Sequence, residues 1–254
     1  MSVATQKTIA LVILLVTTII GSASFIAFLI FLYAGSLNWV NLGMNEVGRL
    51  MVNTLLSFAF FLQHSGMIRR SFRRRLDSFI PPHFQGAVYT MVSSLVLLAS
   101  VMFWQGSDRI LLQVNGLPGG IMHIFYWLSI LGICWAMLAL RSFDIFGLNP
   151  ILKSLGGKPP PSMPFTIRGP YRWVRHPLYL FMIVLFWSCP IITTDRLLFN
   201  ILWTIWVIVG TILEERDLAE DFGDAYRDYQ ANVPMLFPRG VRPAYSVGKS
   251  GNVA

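Results

Sequence analysis

Arg168-Gly-Pro-Tyr-Arg-Trp-Val-Arg-His-Pro-Leu-Tyr179 is a dense basic and aromatic loop that turns, with no spacer, into the apolar run Leu178–Pro190. The junction is Pro177. Proline lacks an N–H and fixes φ, so it suits the first position of a helix. His176 then falls at the N-cap of an apolar helix. Free N–H groups and the positive dipole end collect there and suit an anionic group. On this ground His176 is expected to act by position and as a capping side chain as much as by its ring. A later apolar segment ends in Leu213-Glu214-Glu215-Arg216. Ionisable groups at the mouth of a bilayer-depth helix are expensive and point to function.

Working outward, the rest of the chain is apolar too. Of 254 residues, 55% are hydrophobic and 13% charged, and the mean hydropathy is +0.60. A soluble domain carries about 25% charged residues. The composition implies an all-α, polytopic membrane bundle of about five to six spans of roughly 20 residues each. The candidates are Thr8–Ala34, Val47–Met67, Ala87–Gln105, Ile121–Leu140, Leu178–Pro190 and Arg196–Leu213. The last two read as a C-terminal helical hairpin turning at Pro190–Asp195. Beyond it Leu218, Phe222, Tyr226 and Tyr229 share one helix face, predicting a cytosolic amphipathic helix that packs back on the loop between the fourth and fifth spans, whose Gly/Pro-rich stretch is Gly156–Pro164. Residues 1–238 form a single integral-membrane domain with its motifs in 141–238, and 239–254 are expected to be disordered.

The net charge of +8 is concentrated in two connections, Arg69–Arg75 and Arg141–Arg175. Cations flanking apolar spans follow the positive-inside rule, which puts both connections in the cytoplasm. Nucleic-acid binding is disfavoured, because there the cations line a face of a soluble fold. The localisation implied is an inner (cell) membrane of a bacterium, with the polar site facing the cytoplasm. Cys134 and Cys189 lie in apolar segments and read as small hydrophobes. No metal-ligand spacing occurs.

The unusual polar residues gather at one end of the bundle. Gln63, His64 and Ser65 close the second span, Arg141 and Asp144 the fourth, and Glu214 and Glu215 the sixth; Arg172, Arg175, His176 and Tyr179 open the fifth. The opposite ends look sparse. Cytosolic helix ends are ordinarily rich in Lys and Arg, which covers the arginines but not the histidines or carboxylates. His64 stays open to two readings, a bond to a neighbouring helix or a ligand contact. Of the two glutamates, one is expected to face a ligand and the other to pair with an arginine, since two unpaired carboxylates would be costly. A basic loop, a helix N-terminus and carboxylates suit S-adenosylmethionine; a zwitterionic lipid headgroup fits as well. Polar residues at one end only disfavour a solute carrier. No phosphate-binding loop, dinucleotide fingerprint or nucleophile elbow is present.

These residues resemble the integral-membrane methyltransferases that include isoprenylcysteine carboxyl methyltransferase, phospholipid methyltransferases and the NnrU-like proteins. The group's Arg-His-Pro-x-Tyr, Glu-Glu and Phe-Gly-x-x-Tyr-x-x-Tyr-x-x-x-Val-Pro motifs stand here as Arg175–Tyr179, Glu214-Glu215 and Phe222–Pro234. Within the group the chain is most similar to the bacterial methanethiol S-methyltransferases, through Leu62–Ser65, Phe103–Gln105, Phe143–Leu148, Arg168–Arg172, Leu213–Leu218 and Val233–Pro238. The resemblance implies S-adenosyl-L-methionine as donor and a small apolar thiol, methanethiol, as acceptor, giving dimethyl sulfide. A lipid or isoprenylcysteine acceptor, or a non-enzymatic NnrU-like role, is the alternative. The cofactor-binding residues implied are Tyr171, His176, Pro177, Tyr179, Leu180, Glu214 and Glu215. His64, Arg141 and Arg175 are the candidates for catalysis, with no metal. Phe181 stands where the group often has Gly, and is expected to narrow the pocket or shift the cofactor.

Overall fold

The computed structural model describes residues 3–140, 144–156 and 165–245. Arg141 and most of the Gly/Pro-rich loop 156–164 lie outside the described residues, as does the tail from 246. The helices are α1 (Val3–Ala34), α2 (Glu46–Ile68), α3 (Arg70–Leu76), α4 (Pro82–Met102), α5 (Gly116–Ala139), α6 (Asn149–Leu155), α7 (Pro177–Trp187) and α8 (Thr194–Asn232). Four are long and apolar enough to cross a membrane: α1 from Lys7, α4, α5 and α8. Helix α2 is long but carries Asn53, Gln63 and His64, and α7 is apolar but only 11 residues. The expected hairpin turn at 190–195 is instead a strand. β2 (Ile191–Thr193) pairs antiparallel with β1 (Ile110–Gln113), so the backbone groups of this connection satisfy each other.

The described residues divide into two compact units: 3–113, 144–156 and 191–202 in one, and 114–140, 165–190 and 203–245 in the other. In the first unit α4 packs between α1 and α2. Gly86 of α4 meets the backbone of Gly147, where a Cβ would fall 2.8 Å from a carbonyl oxygen. Asp144 receives N–H bonds from Leu148 (3.0 Å) and Asn149 (2.7 Å), so it caps the start of α6.

The end of the bundle expected to be sparse in polar groups is not. Asn53 and Gln105 pair reciprocally, side chain to backbone, at 2.8 Å each way. Buried Asp195 accepts from Trp104 Nε1 (3.0 Å), Ser107 N (2.9 Å) and Thr193 Oγ1 (2.6 Å). Buried Arg196 donates to the carbonyls of Phe31 and Leu32, closing the C-terminus of α1, and lies over the Phe31 and Phe199 rings. These contacts carry no signal in the sequence because each residue is ordinary alone; only the fold brings them together.

In the second unit α5 packs on α7. Phe181 does not enter a polar pocket. Its ring fills a notch at Gly132 of α5, where a Cβ would lie 2.5 Å away. Two residues earlier on α7, Tyr179 points to the other side, because successive helical residues turn about 100°. Cys189 is buried, whereas Cys134 is exposed on α5.

Gly132→Leu should therefore lower stability by about 1–3 kcal/mol through overpacking. Thermal unfolding in detergent should show most of the loss recovered by adding Phe181→Ala. No recovery would mean that the two residues do not share the notch.

Candidate functional site

α8 is two helices in one run. At Gly223 φ is 56° and ψ −130°, a combination that glycine alone adopts easily. The chain doubles back there. Tyr226 and Gln230 lie 11 and 15 residues after Glu215, which in a straight helix would be about 16 and 22 Å. Both instead hydrogen-bond it, at 2.9 and 2.7 Å. The apolar face expected of this segment drives the return. Tyr226, Tyr229 and Val233 are buried against Phe165, Ile167, Leu218 and Phe222.

Glu215 is the hub of the site. Its Oε1 accepts from Arg175 Nε (2.7 Å), His176 Nε2 (2.7 Å) and Tyr226 OH; its Oε2 accepts from Arg175 Nη2 (2.7 Å) and Gln230 Nε2. Two bonds from one guanidinium plus three further donors hold this carboxylate as the anion. Arg175 also donates through Nη1 to the carbonyls of Gln230 and Val233. The backbone N–H groups of Arg175 and His176 bond Pro234 O (2.9 Å) and Met235 O (3.1 Å). Tyr229 OH donates to Tyr171 O at 2.6 Å. The 168–179 loop and the return helix are thus fastened through one buried ion pair. Residues 239–245, expected to be disordered, also hold the loop: Arg172 Nε bonds Tyr245 O, Tyr245 N bonds Arg172 O, and Trp173 Nε1 bonds Val241 O.

Glu214 is placed differently. It receives Tyr179 OH at 2.6 Å and has His176 Nδ1 at 3.9 Å, with its side chain 42% exposed against 11% for Glu215. Burial pushes the Tyr171 phenol above its ordinary value, and the Glu214 charge nearby pushes the same way. An open groove of about 280 Å³ is lined by Ile212, Glu215, Arg216, Ala219, Gln230 and Met235.

The structure therefore gathers Tyr171, Arg175, His176, Tyr179, Glu214 and Glu215. Pro177 opens α7 as expected of its missing N–H, and Leu180 continues the helix through its bond to His176 O. His176 makes no side-chain capping bond, contrary to the expectation. Its ring instead lies between the two carboxylates. Arg175 is committed to Glu215 rather than left for a substrate. His64 belongs to the first unit, where its ring meets the Tyr89 hydroxyl at 2.9 Å, the helix-to-helix alternative. Gln230 was missed: a glutamine on an exposed-looking helix carries no signal until Gly223 turns it inward.

The phospholipid methyltransferase family model matches residues 121–225. The chain is 36% identical over 190 residues to methanethiol S-methyltransferase of Pseudomonas deceptionensis, covering 74% of this chain and 72% of that one. The chain belongs to the methanethiol S-methyltransferase family. The Mycobacterium tuberculosis member is 34% identical over 189 residues, covering 74% of this chain and 78% of its own. Nurim of Rattus norvegicus is a more distant match, 22% identical over 178 residues, covering 64% of this chain and 65% of its own. No solved structure matches. Membership and the apolar helices make this chain an integral-membrane methyltransferase.

The two glutamates should separate by stability. Glu215→Gln strips a buried guanidinium of its partner and should cost about 3–5 kcal/mol. Glu214→Gln removes one exposed acceptor and should cost about 1 kcal/mol or less. Proteolysis at the 224–245 segment measures this. Equal resistance in both variants would remove Glu215 from the hub.

Proposed function

We propose that the chain transfers the methyl group of S-adenosylmethionine to methanethiol, giving dimethyl sulfide, with the site on the cytoplasmic side of the membrane. The observation that carries this is the open Glu214 beside His176, in a chain whose relatives carry that activity in their names.

The residues present fit such a donor. Half-exposed Glu214 is an acceptor suited to an ammonium group. The first N–H groups of α7 suit its carboxylate, because Pro177 and His176 make no side-chain cap there. Tyr171, Tyr179 and Leu180 then stand beside it. Bound there, the donor supplies an electrophilic sulfonium methyl. The protein contributes orientation and exclusion of water. Glu215 and Arg175 hold the loop from which His176 and Tyr179 project. Apolar helices let a volatile thiol arrive through the bilayer. His64 and Arg141 are also proposed as groups that favour the thiolate by charge or hydrogen bonding.

Purified protein with S-adenosylmethionine and methanethiol should yield dimethyl sulfide in headspace gas chromatography. Glu214→Gln should weaken S-adenosylmethionine binding by roughly 10- to 100-fold in calorimetry, the worth of one hydrogen bond to a charged group. Parent-like binding in that variant would remove Glu214 from the donor site. Absence of dimethyl sulfide with the parent would remove methanethiol as acceptor.

A further inference from the structure

Two carboxylates flank one imidazole. Glu215 Oε1 lies 2.7 Å from His176 Nε2, and Glu214 Oε2 lies 3.9 Å from Nδ1. A carboxylate gripped through both oxygens by a guanidinium accepts hydrogen bonds and does not donate them. The hydrogen between Glu215 and His176 therefore belongs to Nε2. In the neutral ring Nδ1 is left with its lone pair. That lone pair faces a second acceptor across 3.9 Å, too far for a direct bond between them, and the acceptor is half-exposed while the ring is buried. Tyr179 fixes the arrangement. Its ring stacks on the imidazole, with centroids 5.6 Å apart and planes at 16°, and its hydroxyl holds Glu214.

The chemistry proposed above needs such a lone pair. The nucleophile is the thiolate, and an unperturbed alkyl thiol such as cysteine has a pKa of about 8.5, so little of it is ionised at neutral pH. Arg175 has no lone pair to offer, and both oxygens of Glu215 are engaged. The hydroxyls of Tyr226 and Tyr229 are donated elsewhere.

We propose that His176, held with its hydrogen on Nε2 by Glu215, is the general base that takes the thiol proton at Nδ1; the proposal rests on the thiol methyltransferase function above. The S–H bond breaks, its proton bonds to Nδ1, and the electron pair stays on sulfur. That pair forms the new C–S bond to the methyl group, while the donor's sulfonium C–S bond breaks and its pair returns to the donor sulfur. The proton leaves the imidazolium past half-exposed Glu214 to water. The charged groups facing the ring are Glu215, Glu214 and Arg175, two anions and one cation. Glu215 thus stands to His176 as the orienting carboxylate stands to the histidine of a hydrolytic triad, fixing the tautomer without taking the proton.

The test compares the parent with His176→Gln, using methanethiol and thiophenol, an aromatic thiol already ionised at neutral pH. With methanethiol, His176→Gln should lower kcat/KM by roughly 10²–10⁴, the usual span for a general base. With thiophenol the loss should be under about tenfold, because no proton has to be taken. The variant's rate with methanethiol should climb tenfold per pH unit, following the thiolate, where the parent levels off. Nitrogen-15 NMR of the histidine-labelled parent should find the hydrogen on Nε2 and Nδ1 bare. Equal losses with both thiols would overturn the proposal and make Nδ1 a ligand of the donor's ammonium group. A hydrogen on Nδ1 of the neutral ring would overturn it as well, and decides the matter should His176→Gln not fold. A parent that methylates neither thiol would instead sink the function on which the proposal rests.

Discussion

The ionised carboxylate of Glu215, buried with five donors around it, is the constraint on which this half of the molecule depends. An anion withdrawn from water is tolerated only if its oxygens are met by donors of good geometry. Arg175 and His176 come from the loop before α7, and Tyr226 and Gln230 from a helix that continues α8. No straight helix brings the last two to Glu215, so the chain must reverse between them, and Gly223 is where it does. The reversal delivers the Val233–Met235 carbonyls to Arg175 and the backbone of His176. Loop and return helix thus specify each other through one charge.

α8 also carries a buried cation near its other end, next to buried Asp195. It is Arg196, 19 residues before Glu215 in the sequence. Both charges are buried, but their partners differ. Arg196 meets neutral carbonyls of α1 and two aromatic rings. Glu215 meets an arginine and an imidazole, of which the imidazole can change protonation state. The first set closes a helix terminus; the second ties a loop to a return helix.

What could be read from the chain follows from how local each signal is. Pro177 at the start of α7 and the apolar spans are consequences of single residues or single periodicities, and they were legible. The asymmetry of the glutamates was legible as a need, because two unpaired adjacent carboxylates are costly. Which of them pairs with arginine was not, because that depends on the rotation of α8. The Asp195, Arg196 and Asn53–Gln105 contacts were illegible for the same reason: their partners are distant in sequence and unremarkable singly. Phe181 misled because a motif position was taken for a pocket position. Its complement is Gly132 on another helix, and only packing reveals that the missing Cβ and the added ring are one feature.

The adjacency of the two glutamates explains why one site can be both rigid and open. Consecutive residues on a helix point about 100° apart, so a Glu-Glu pair cannot put both carboxylates in one environment. Glu215 turns inward and is spent on structure, fixing Arg175 and one nitrogen of His176. Glu214, a single step back, reaches the other nitrogen of the same ring from the solvent side, steadied by Tyr179. The buried imidazole is therefore gripped at Nε2 by Glu215 and flanked at Nδ1 by half-exposed Glu214. Separating the carboxylates by three or four residues would stack them on one face of α8, where two anions would compete for Arg175 and the division between a buried and a half-exposed carboxylate would be lost.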